Sequence, residues 1–324
     1  MSALTASWNL PEQTRVVEVG LRDGLQAVEH RLPTEAKLAL VERLIDSGVR
    51  EIEVASFAHP RVLPQLADAE ELLSRVPRDR GVTYRALVPN LRGMMRAAAC
   101  DLDEVAVVVP ADDDMALRNQ NRTTAQLLEE TREIGRVAAD AGQRLIVAVA
   151  CAFFAPCRGA VAPAARLAVV EGALEAGADA VYLATTTGQE HPGEVFAGIE
   201  QVRHRYPDLS CGAHLHNRNG FAPANALAAL SAGADWLESS FSGLGGDVWF
   251  PGDPTVLGNM ATEDLLHLLQ GLQISTGIDF EKYRGIAADV TEMTGFPTTS
   301  FIARGGSRGD LAAASWPDTS GGIG

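Results

Sequence analysis

Eight short runs of apolar, mostly β-branched residues recur along the chain: RVVEV (15–19), REIEVAS (50–56), VTYRALV (82–88), DEVAVVV (103–109), RLIVAVA (144–150), DAVYLAT (179–185), CGAHLH (211–216) and DWLESSF (235–241). Within most of them the apolar residues are consecutive rather than alternating, the pattern of parallel strands covered on both faces. Between the runs lie segments with apolar residues three and four apart. TEAKLALVERLIDSG (34–48), TTAQLLEETREIGRVAADAG (123–142) and APAARLAVVEGALEAGAD (162–179) are examples, and each reads as an amphipathic helix. Several of these segments close on a glycine that leads into the next run, as in DSGVREI, EAGADAV and SAGADWL, which is a helix stop feeding a strand. Thr34 and Thr262 stand where N-caps are expected.

Eight strand–helix units predict an α/β fold of the (β/α)8 TIM-barrel type with a C-terminal extension. A doubly wound open sheet would use the same alternation, but no Gly-rich dinucleotide fingerprint follows the first strand. One catalytic domain is expected over residues 1–300. From Phe301 the chain turns rich in Gly and Ser (ARGGSRGD, SGGIG), and residues 301–324 are expected to form a mobile tail.

The composition narrows the class. Of 324 residues, 46% are hydrophobic and 21% charged, enough apolar side chains to bury a large core. The net charge of −15, from 27 basic and 42 acidic residues, repels nucleic acid and anionic membranes. An anionic substrate must then meet local arginine or metal. The four cysteines lack zinc-ribbon spacing, the N-terminus lacks a signal-peptide layout, and no apolar run is long enough to span a bilayer. A cytoplasmic protein with reduced thiols is the expectation.

A barrel gathers the C-terminal ends of its strands at one mouth, where chemistry is built. The first strand would deliver Arg22 and Asp23 there, the second Glu53 and Ser56, and the seventh His214 and His216, which share a face because they are two apart in an extended chain. The loop after the eighth strand carries Asp247 and Asn259. Taken singly, HxH is more often structural and RDG is commonly a turn. Arranged at successive strand ends, Asp23, His214, His216 and Asn259 form a mixed N/O set suited to a divalent metal with open positions, Mg²⁺ or Mn²⁺ first and Zn²⁺ or Co²⁺ as alternatives.

The motifs VEVGLRDGLQ, EVASFAHPRVLPQLAD, LVPNLRG, NQNRTT, AHLHNRNGFAPANALAALSAGADWLESSFSGLGG and GNMATEDLLHLL extend from about Arg15 to about Leu272. On these the chain resembles 3-hydroxy-3-methylglutaryl-CoA lyase and the metal-dependent TIM-barrel superfamily around it, which includes isopropylmalate, homocitrate and citramalate synthases. The resemblance implies that Asp23, His214, His216 and Asn259 form the metal shell. It also implies that Arg22 stabilises an enolate and that Glu53 orients that arginine. Three positions depart from the lyase pattern: Asp247 stands where the active-site loop carries cysteine, Thr185 where LGDT carries aspartate, and Asn217 where HxHD does.

The function expected is therefore a divalent-metal-dependent carbon–carbon lyase cleaving a 3-hydroxyacyl substrate, a CoA thioester, by retro-aldol or retro-Claisen chemistry. A condensing acyl-CoA/oxo-acid synthase on the same site is the alternative, and an inactive binding protein on the same fold a further one. Asp247 is the candidate base; Gln26, Ser56, Thr185 and Asn217 are candidate substrate contacts. Arg61, Arg118 and Arg122 are candidates, by position alone, for contacts with CoA phosphates, although a plain surface role is the commoner one for such arginines. A homodimer is expected by resemblance, with neither nucleic acid nor membrane as partner.

Overall fold

The computed structural model describes residues 8–29, 31–246 and 258–316. Eight parallel strands close into a barrel: β1 (Arg15–Glu18), β2 (Glu51–Ser56), β3 (Thr83–Leu87), β4 (Glu104–Pro110), β5 (Arg144–Ala150), β6 (Ala180–Thr185), β7 (Ser210–Leu215) and β8 (Trp236–Ser239). Each pairs with its neighbour in sequence, and β8 closes on β1 with Arg15 opposite Trp236 and Glu18 opposite Ser239. All eight apolar runs are strands of the barrel, and the outcome is a (β/α)8 fold.

The continuous runs follow from burial on both faces. Inside the barrel, Val17, Val19, Ile146, Ala148, Ala180, Tyr182, Ala184 and Trp236 pack as one cluster. Outward residues such as Val16, Ile52, Val105, Val181 and Leu237 join the larger layer beneath the helices. Two opposite faces thus need apolar side chains, so alternation disappears.

The segments read as helices form Thr34–Asp46, Thr124–Asp140 and Pro163–Glu175. The Gly stops at 48, 177 and 233 all take positive φ, the left-handed turn that lets the chain reverse into a strand. Both expected threonine caps differ. Pro33 and Ala261 occupy the N-cap positions, and Thr34 and Thr262 are the first helical residues. Their hydroxyls point inward instead: Thr34 Oγ1 donates to Asp68 (2.8 Å), which also accepts from buried Lys37 (2.6 Å), and Thr262 Oγ1 lies 2.9 Å from Glu18. A buried acceptor outcompeted the helix's own free N–H groups for these hydroxyls.

A short antiparallel hairpin, Phe154–Ala155 with Gly159–Ala160, follows β5. Beyond the barrel, helix Phe280–Thr294 packs against Thr34–Asp46. From Phe301, where a mobile tail was expected, the described residues form two short helices, Phe301–Gly305 and Arg308–Ala313. Asp264 anchors the first, accepting from Ser300 Oγ (2.7 Å) and from the backbone N–H of Phe301 and Ile302 (2.9 Å each). No disulfide links the four cysteines. Among the described residues no helix is long and apolar enough to cross a membrane.

Candidate active site at the barrel mouth

Immediately after β1 the chain makes one π-helical turn, Gly20–Gly24. Its N–H groups at 22, 23 and 24 converge on the carbonyl of Val19 (3.1, 2.7 and 3.3 Å). Such turns place side chains that a regular helix would carry past the site. Here the turn sets Arg22 and Asp23 side by side at the mouth. Gly20 permits it, since a Cβ there would fall 2.5 Å from Glu18 Oε1 and 2.6 Å from the Phe241 ring. On β2 the register shifts between Glu53 and Ala55, next to the carboxylate that pairs with Arg22.

Asp23, His214 and His216 bring one ligand atom each within 4.8 Å of one another, and all three are buried. The hydrogen-bond partners identify the imidazole tautomers. His214 Nδ1 faces Glu238 Oε2 (3.1 Å) and His216 Nδ1 faces the carbonyl of Thr186 (2.8 Å), both acceptors, so each Nδ1 carries the proton. The two Nε2 atoms then meet at 3.1 Å. Two nitrogens bound to one cation at about 2.1 Å and a right angle lie about 3.0 Å apart. Asn259 stands beside Asp23. Its amide nitrogen donates to Asp23 Oδ2 (2.6 Å) and to the carbonyl of Leu244 (2.8 Å), which leaves buried Oδ1 without a partner. An orphaned oxygen, two facing nitrogen lone pairs and a carboxylate are a donor set that fits a divalent cation.

Electrostatics favour the same arrangement. The Asp23 carboxyl is held below its ordinary value; burial opposes this, but Arg22 and the two histidines outweigh it. Burial and the adjacent His214 push His216 down to about 4, so it stays neutral and able to ligate. His214 is raised: burial works against its charge, yet the Glu238 hydrogen bond and Asp23 prevail.

Arg22 is gripped from two sides. Nε donates to Glu53 Oε2 (2.8 Å), Nη2 lies 2.7 Å from the same oxygen, and Nη1 donates to Asp23 Oδ1 (2.5 Å). Two of its five N–H groups remain for a ligand. Behind His214, Glu238 is itself held by Arg85 (2.6 Å) and by Trp236 Nε1 (3.1 Å), and Arg85 also pairs with Glu104 (2.9 Å). This chain of charges fixes the orientation of His214 from inside the barrel.

A cavity of about 270 Å³ opens above these groups. Arg22, Asp23, Gln26, His214 and His216 line one side, and Leu87, Val108, Ala148, Ala150 and Met115 the other, with Asn119 and Gln120 among the polar groups. Gln26, a candidate substrate contact, lines it and donates to Asp23 Oδ1 (2.8 Å).

The other three candidate contacts are not among the residues lining this cavity, and each has a polar atom bonded to backbone. Ser56 Oγ accepts from Ala58 N–H (3.2 Å). Thr185 Oγ1 accepts from His216 N–H (2.9 Å), fixing the end of β7. Asn217 Oδ1 accepts from Ala222 N–H (3.1 Å) at the start of the next helix. Asp247 lies outside the described residues. Arg61 and Arg118 are exposed next to cavity-lining Val62 and Asn119, whereas Arg122 pairs with Glu130. Glu238, Arg85, Thr186 and Tyr182 escaped sequence reasoning. The only signal was a charged or polar residue two positions from another inward-facing one, as in Trp236–Leu237–Glu238.

Residues 13–290 match the family model described as HMGL-like. The chain is 36% identical over 284 residues to a hydroxymethylglutaryl-CoA lyase of Pseudomonas mevalonii, covering 88% of this chain and 93% of that one. It is 35% identical over 307 residues to an (R)-citramalyl-CoA lyase of Chloroflexus aurantiacus, covering 91% and 95%. A solved HMG-CoA lyase of Acinetobacter baumannii, in complex with coenzyme A and 3-methylmalate, superimposes with a TM-score of 0.88 at 31% identity, covering 94% of this chain and 98% of that one.

Proposed function

Since the chain belongs to the HMGL-like family of carbon–carbon lyases, we propose that it is a divalent-metal-dependent lyase splitting a 3-hydroxyacyl-CoA between C2 and C3. The observation that carries the reading is the meeting of three ligand groups, Asp23 and the Nε2 atoms of His214 and His216, within 4.8 Å of one another, with the buried, unpartnered Oδ1 of Asn259 on the side chain bonded to Asp23. Asp23, His214, His216 and Asn259 would hold the cation. When bound, it supplies a positive charge that polarises substrate oxygens and acidifies the hydroxyl.

The chain's own groups account for the rest. Removal of the C3 hydroxyl proton lets the C2–C3 electron pair move onto the thioester, giving a ketone and a thioester enolate. The enolate then takes a proton at C2. Arg22, kept charged between Glu53 and Asp23 despite burial, donates its two free N–H groups to the enolate oxygen. Glu53 acts through Arg22 as a positioning residue. We assign the proton abstraction to Asp247, a carboxylate of ordinary pKa near ~4 that needs desolvation to act as base. Gln26 holds the Asp23 oxygen that faces Arg22. The apolar wall of Leu87, Val108 and Met115 excludes water from the acyl group, and exposed Arg61 and Arg118 at the rim suit the CoA phosphates.

Incubation of metal-loaded protein with 3-hydroxyacyl-CoAs, free hydroxy acids and oxo-acid/acyl-CoA pairs, read by mass spectrometry, tests the reaction. Cleavage of a hydroxyacyl-CoA is the expected result; condensation alone would reverse the assignment. His216→Ala should lose both metal and turnover. Arg22→Met should keep its metal while kcat falls by at least about 100-fold. Full rate in either variant removes that residue from the mechanism.

A further inference from the structure

One polar group in the cavity has no task in this scheme. Tyr182 stands on β6 in register with Ala148 of β5 and Gly212 of β7, and its ring packs in the inner cluster of the barrel with Ala148, Ala180, Ala184 and Trp236. The ring centroid lies 5.9 Å from that of His214, and the residue lines the cavity together with Arg22, Asp23 and His216.

The phenol makes no hydrogen bond to a described residue. It also differs from the sealed, unpartnered atoms of the core, such as Glu53 Oε1, because it keeps contact with the cavity. A buried tyrosine ordinarily finds a partner for its hydroxyl, and phenylalanine would fill the same volume without the cost of desolvating an oxygen. A hydroxyl kept free on the wall of a catalytic cavity has a partner that arrives with the ligand. Burial, reinforced by the neighbouring carboxylates Glu238 and Glu53, pushes the phenol well above its usual 10. It therefore stays protonated at neutral pH and can only donate to an anion. Arg22 and Tyr182 face the same space and both offer N–H or O–H groups.

We propose that Tyr182 is a catalytic residue: its hydroxyl donates a hydrogen bond to the substrate oxygen on which negative charge develops, beside the guanidinium of Arg22. The inference rests on the lyase reading and adds a second donor to it. No proton changes owner in this role, so the bond-breaking step stays balanced as written above.

Tyr182→Phe removes one oxygen and keeps the packing. In the metal-loaded full chain, kcat should fall about 100-fold, in the range for loss of one oxyanion donor. KM for the hydroxyacyl-CoA and metal content should stay within twofold. Oxalate, a planar dianion resembling an enolate, should bind the variant at least about tenfold more weakly in calorimetry. Wild-type values for both kcat and oxalate affinity would overturn the assignment while leaving the lyase reading intact. A fall in metal content parallel to the fall in rate would also overturn it, since that marks a merely structural role. If wild-type enzyme cleaves nothing in the panel, the lyase reading itself fails. Unchanged oxalate affinity in Tyr182→Phe would still count against the donor.

Discussion

At the scale of the residue, the site is defined by which atom of each side chain is already taken. Asn259 shows this best: its nitrogen is used twice and its oxygen not at all. Asn259→Asp would set a second carboxylate against Asp23 in a buried space, and like charges there repel. The metal-free variant should melt several degrees lower than wild type, and added Mn²⁺ should raise its midpoint more than it raises the wild type's. Thermal melts with and without Mn²⁺ measure this, and equal shifts in the two proteins would refute it. The HxH and RD pairs were readable because spacing alone puts neighbours on one face or at one strand end. The backbone bonds of Ser56, Thr185 and Asn217 were not readable, since a hydroxyl or amide near a mouth is as ready to bind backbone as ligand. Glu238 was hidden because its partner His214 is on another strand.

At the scale of the element, the decisive piece is the single π-helical turn after β1, together with what pins it. Glu18, on the outward face of β1, gathers the elements around that turn. Oε1 accepts from Gly20 N–H (2.8 Å) and Phe241 N–H (3.0 Å), and Oε2 from the hydroxyls of Thr262 and Tyr283. The turn bearing Asp23, the end of β8 and the helix after Asn259 are thus tied to one carboxylate. Gly20→Ala would force a methyl into Glu18 and Phe241, and overpacking of this kind costs about 1–3 kcal/mol. Because the clash is at the pin itself, metal affinity should drop with stability. A Gly20→Ala protein with unchanged denaturant midpoint and metal affinity would show that the turn tolerates the shift. The strands and the long helices were readable from periodicity. The π turn was not, since nothing in GLRDG marks five residues per turn rather than a loop, and the threonine caps failed for the reason that buried acceptors lay in other elements.

At the scale of the whole molecule, burial of carboxylates makes stability depend on pH. Glu18, Glu190 and Glu263 are each raised to about 7, burial being the first cause in all three. A group whose folded value is raised adds stability that is complete below its unfolded value and lost as pH climbs through the folded one. His216, lowered to about 4, acts oppositely, adding stability as pH rises toward its unfolded value. His214, Glu51 and Glu53 are raised as well, so the raised groups outweigh His216 and predict a urea midpoint that declines between pH 5.5 and 7.5. Glu190 allows a clean check, because its Oε1 accepts from Thr187 while its Oε2 has no partner. Glu190→Gln should flatten part of that decline, stabilising the protein at pH 7.5 more than at pH 5.5. An unaltered slope in the variant would exclude Glu190 as a source.

The amino-acid order alone determined that eight strands alternate with helices, that the strands are buried on both faces, and that Arg22, Asp23, His214 and His216 sit at strand ends. Those properties rest on contacts between residues close along the chain, where periodicity and turn chemistry act. Only the closed barrel decided which nitrogen of each imidazole is bare, which oxygen of Asn259 is left over, and that a tyrosine hydroxyl from β6 shares their cavity. Such outcomes depend on partners tens to hundreds of residues away, as Asp23 and Asn259 are, and a buried polar atom's role is set by whichever partner folding brings within reach.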